Sequence, residues 1–96
     1  MTAALRTLER LAELSEAMLG AATAQDWQAL AQHELARRSL TDSLPEPLTV
    51  GLPVAAQERA RVLIEACLRC DARIQPLLAV RQNELRVMLR AAPGGA

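Results

Sequence analysis

The sequence predicts an all-α domain, an antiparallel three-helix hairpin bundle with a long third helix. Ala and Leu, both strong helix formers, supply most of the 51% hydrophobic content. Apolar side chains also recur three and four residues apart through most of the chain, the period of a helix stripe. Ninety-six residues with a net charge of +0 fit one small domain rather than two. That domain is expected over residues 1–92, followed by a disordered Pro-Gly-Gly tail at 93–96. A chain this short hides only about 60 to 65% of its unfolded surface, so self-association would help it.

The first helix is predicted over about residues 2 to 24, with Leu5, Leu8, Leu11, Leu14, Met18 and Leu19 along one stripe and charges opposite. Gly20, Thr23 and Asp26 mark its fraying end. Asp26 is placed to cap the next helix, its carboxylate accepting a free N–H in the turn that begins at Trp27. A connection this short makes the two helices antiparallel. The second helix reads from residue 27 to about 44, with Ala29, Leu30, Leu40 and Leu44 on one side and His33 and Arg37 beside them. Glu34 and Arg38 form an i,i+4 pair with the acid first, the favourable order. Pro45, Pro47 and Pro53 with Gly51 then break the helix, and Pro53 suits the first turn of the next one.

The third helix reads from residue 54 to 91, with Ala56, Leu63, Cys67, Cys70, Ile74, Leu77 or Leu78, Leu85 and Met88 facing inward. Pro76 lies inside it and should bend or locally open it. At 1.5 Å per residue this helix is about 57 Å long against about 33 Å for the first. It starts beside the start of helix 1, runs parallel to it, and outlasts its cover after about 20 residues. From about Ile74 onward Leu77, Leu78, Val80, Leu85, Val87, Met88 and Leu89 are therefore expected to lack intramolecular partners. Each apolar side chain left in water forgoes about 1.5 to 3 kcal/mol, so this stretch should bind something.

Composition excludes several functions. All eleven basic residues are Arg and Trp27 is the only aromatic residue. Nucleic-acid binding, which needs a basic surplus or stacking aromatics, is not expected. The chain has no apolar run of about 20 residues and no signal-peptide pattern, so neither membrane insertion nor secretion is expected and the location is read as cytoplasmic. Cys67 and Cys70 form a C-x-x-C spacing in mid-helix with no strand nearby, which reads as a buried pair of small residues rather than a redox motif. Zinc would need His33 plus a ligand from another chain. The sequence has no nucleophile elbow and no phosphate-binding glycine loop, and Glu9 and Glu13 read as solvated neighbours. The linker is too long for a helix-turn-helix. A small helical chorismate mutase is the strongest enzyme alternative, with Arg37 and Arg81 on inward lines, but the chain offers no Lys and no set of buried cations. The expectation is a protein without catalysis, metal or cofactor.

The segments taken together resemble the FliT family of flagellar export chaperones. The first half carries Glu13-Leu14-Ser15, Met18-Leu19, Ala21-Ala22, Asp26-Trp27, Leu30, Glu34, Arg37-Arg38, Leu40 and Leu44. The second carries Leu68, Asp71, Ile74, Leu77-Leu78, Arg81 and Glu84-Leu85, and the Asp-Trp turn with the following Glu and Arg-Arg spacing is the least generic part. The resemblance implies a cytoplasmic, non-catalytic chaperone of type III export that binds the C-terminal region of the filament cap protein, FliD, with the export ATPase as a further partner. A client helix would dock between helices 2 and 3, along Leu40, Leu44, Ile74, Leu78, Arg81, Leu85 and Met88. Longer family members carry a fourth helix over the client site. Here the groove is expected to be open or covered by a second copy, and a regulator-binding role is not carried over. The alternative is a homodimeric helical adaptor whose seam is permanently buried.

Overall fold

In a computed structural model the chain is described over residues 3–44 and 51–91. The expectations for the start at residue 2, the linker at 45–50 and the tail at 93–96 lie outside the described residues. Three helices follow in order, α1 (Ala3–Thr23), α2 (Trp27–Asp42) and α3 (Val54–Ala91). Among the described residues no strand occurs, as the Ala and Leu content requires.

The leucine stripe of α1 becomes the centre of the fold. Leu5, Leu8, Leu11, Leu14 and Met18 are all buried, and Ser15, Ala21 and Ala22 join them. The helix runs through Gly20 and ends in a defined backbone lock rather than by fraying. Gln25 adopts a left-handed φ of 60°. Its N–H donates to the Ala22 carbonyl at 3.1 Å, and the Asp26 N–H reaches back to the Ala21 carbonyl at 2.8 Å. This is the paired-bond stop that helices usually make with glycine at the left-handed position. Asp26 then accepts from the Ala29 N–H at 3.1 Å, capping α2 as its sequence position implies.

In α2 only Leu30 is buried, while Ala29, His33, Arg37 and Leu40 are half-buried along the same side. Glu34 accepts from Arg38 at 2.9 Å on the exposed face. At the far end the Ser43 hydroxyl donates to the Leu40 carbonyl at 2.6 Å. The start of α3 is set by Pro53, whose carbonyl accepts the first helical bond from the Gln57 N–H at 2.9 Å. Pro76 does not open α3, which continues through it to Ala91. Ala72 and Pro76 are both exposed, so the carbonyl that proline leaves without an N–H partner lies on the solvent side.

Two apolar clusters hold the helices together. One joins Leu5, Leu8 and Leu11 of α1 to Ala60 and Leu63 of α3, with Leu40 and Leu44 against it. The other joins Met18, Ala21 and Ala22 to Leu30 and Ile74, with Trp27, Leu77 and Leu78 against it. The end of α2 thus meets the start of α1, and α3 starts there too, giving antiparallel α1–α2 and parallel α1–α3 packing. The α2 and α3 backbones approach each other much less closely than either approaches α1. The molecule is 61 Å long and 20 by 18 Å across, close to the length of α3 itself.

Candidate docking surface

The length mismatch leaves the C-terminal third of α3 without cover, though the uncovered part starts later than the helix lengths alone suggest. Ile74 is 2% exposed and belongs to the second cluster. Leu77 and Leu78 are half-buried on the same cluster. The turn between α1 and α2 extends the cover, because Trp27 sits one turn beyond the last buried residues of α1 and packs there as well. Beyond Leu78 every residue to Arg90 is exposed apart from Arg81. In that stretch Leu85 is 40%, Met88 62% and Leu89 76% exposed. The segment after Leu78 is about 18 Å long.

At helical spacing Leu78, Arg81, Leu85 and Met88 continue the line that Ala60, Leu63, Cys67, Cys70 and Ile74 present to α1. Val80 and Val87, 58% and 53% exposed, fall on a different side of α3. The seam is therefore buried over its first part and open over its last. Where it emerges, the Arg81 guanidinium lies 5.5 Å from the centre of the Trp27 ring. This stacking favours a partly exposed cation by about 0.5 to 1 kcal/mol. A pocket of about 90 Å³ opens beside this pair, bordered by Ala22, Gln25, Trp27, Leu77, Val80 and Glu84.

The other arginine on an inward line has a different partner. Arg37 donates to the Asp71 carboxylate at 2.7 Å and to the Ser15 hydroxyl at 3.2 Å. Ser15 is fully buried, so one guanidinium ties the three helices together at mid-height. The sequence placed Arg37 inward but did not reveal its partners. Asp71 and Ser15 lie 34 and 22 residues from it. The one available signal was that both belong to the residues carrying the family resemblance.

The expected binding line is divided between the two ends of the molecule. Leu40 and Leu44 pack on the first cluster beside Leu63, about 22 Å along α3 from Leu78. Leu78, Arg81, Leu85 and Met88 form one continuous run, with Ile74 beneath it in the core. Cys70 is buried and Cys67 half-buried. Burial is the main cause that pushes the Cys70 thiol above its usual range, with Glu16 adding to it, which opposes thiolate chemistry. Among the described residues no three His, Cys, Asp or Glu side chains are grouped to hold a metal ion. None of the described helices is long and apolar enough to cross a membrane.

Comparison with curated proteins and with solved structures finds no match. The chain does match one family model, described as Flagellar protein FliT, over residues 5–94. The match includes both halves of the residue pattern, the Ser15–Arg37–Asp71 tie and the open end of α3. The chain belongs to the FliT family of flagellar export chaperones.

Proposed function

We propose that this protein is a cytoplasmic chaperone that binds the C-terminal region of the filament cap protein FliD and keeps it from assembling before export. The single observation that supports this is the open end of the α3 seam, where Leu85 and Met88 continue a buried line into solvent. A client helix laid along that line would give these side chains the cover that α1 gives Leu63 and Ile74. The docking residues are Leu78, Arg81, Leu85 and Met88, with Ile74 supporting them from the core. Leu40 and Leu44 complete a groove only for a client long enough to reach the other end of α3. The export ATPase is a second proposed partner. No catalytic role is proposed, because Arg37, one of the two inward arginines on which an enzyme reading draws, is occupied by Asp71 and Ser15.

Leu85→Asp with Met88→Asp tests this reading. Both side chains are exposed, so the helical circular dichroism should persist while capture of the cap protein in a pull-down is lost. Undiminished capture refutes the assignment. The second reading, a homodimeric adaptor, draws on the same uncovered line, which a second copy could occupy. Analytical ultracentrifugation separates the two, since a tight dimer that excludes the cap protein supports the adaptor.

A further inference from the structure

The open seam of α3 is apolar at three of its four positions and cationic at the fourth. Arg81 stands between Leu78 and Leu85, half-buried, where a coiled-coil partner would pack. Among the described residues it makes no ion pair, and its guanidinium rests on the Trp27 ring alone. Glu84 lies one turn along and does not reach it. Any helix that covers Leu78, Leu85 and Met88 must therefore also take the Arg81 charge out of water. Burying a cation without a carboxylate is costly, and burying it with one in hydrogen-bonding geometry is not. Arg81 thus penalises a purely apolar occupant and admits one that brings an acid to that position.

We infer that Arg81 is a specificity-determining residue, and that the occupant of the open seam is an amphipathic helix with an Asp or Glu among its apolar contact positions, opposite Arg81. This rests on the reading of the seam as a docking site and adds the chemistry of what docks. The charge of the exposed end points the same way. Residues 79–90 carry Arg81, Arg86 and Arg90 against Glu84 alone, a surplus of two positive charges in a protein with none overall. Two copies facing each other through this segment bring like surpluses together, whereas an acidic helix meets a complementary field.

Two 14-residue helical peptides test this directly. They are identical and leucine-rich along the contact line, with Glu in one and Gln in the other at the position opposite Arg81. The wild-type chain should bind the Glu peptide at least about tenfold more tightly, with a change in Trp27 fluorescence. Arg81→Gln should remove that preference while leaving Gln-peptide binding in place. Equal affinity of wild type for the two peptides, or binding of neither, overturns the inference. The cap-protein capture lost in Leu85→Asp with Met88→Asp probes the docking reading separately. Capture lost there but retained in Arg81→Glu overturns the role of Arg81 alone. A wild-type dimer that Arg81→Glu dissociates assigns the seam to a second copy and also overturns the inference.

Discussion

Asp71→Asn isolates the tie between α2 and α3. The Arg37–Asp71 contact is 2.7 Å, with side-chain exposures of 23% and 39%. A hydrogen bond to a charged group contributes about 1.5 to 3 kcal/mol, and an exposed ion pair about 0.2 to 1 kcal/mol. Because Asp71 is more than a third exposed, the expected value lies near the lower end of the first range. We expect Asp71→Asn to cost about 1 kcal/mol, since the amide oxygen keeps one acceptor for Arg37 but loses the charge. For a domain of this size that lowers the melting temperature by about 4 to 8 °C. Urea denaturation at one protein concentration, followed by helical circular dichroism, measures it. A double-mutant cycle with Arg37→Met should give a coupling energy of about 1 kcal/mol. A coupling indistinguishable from zero would refute the claim that this pair holds the two helices together, and hydrogen exchange in α2 would then be unchanged in both variants.

Four further outcomes follow from local geometry. Gly20→Ala should stabilise the chain by about 1 kcal/mol, because a Cβ there meets nothing within 4 Å and glycine is a poor interior helix residue; an unchanged urea midpoint contradicts this. Gln25→Gly should add about 0.5 to 1 kcal/mol by relieving the left-handed backbone at the end of α1, and a loss of stability would show that the Gln25 side chain matters more than its φ. Asp26→Ala should cost about 1 kcal/mol through loss of the α2 cap, measured by the same denaturation. Burial raises the Cys70 pKa, so the unfolded chain loses that proton first as pH rises. Stability is full below the unfolded thiol value of about 8.5 and falls as pH climbs from there toward the raised folded value. Cys70→Ala should flatten this alkaline slope, and a slope that survives the substitution assigns it to another group.

Residue order alone was enough for the three helices, the faces they turn inward and the Asp26 cap, because those depend on local propensity and on a period that repeats every few residues, whereas the left-handed stop at Gln25 was not foreseen. The stripe from Leu5 to Met18, the Asp26 cap and the side of α2 carrying Leu30, His33, Arg37 and Leu40 were all legible in this way. Periodicity says which face of a helix is buried but not how far one helix slides along another. It therefore took the packed helices to show that Ile74 is core, that cover ends after Leu78, and that Leu40 and Leu44 lie at the other end from Leu85 and Met88. The packing also separated two arginines that look alike in the sequence. Arg37 meets a carboxylate and a hydroxyl from distant segments, while among the described residues Arg81 meets the face of an indole and no acid. That difference in partners, set by axial register rather than by residue type, is why one arginine closes the fold and the other stands where the seam opens to solvent.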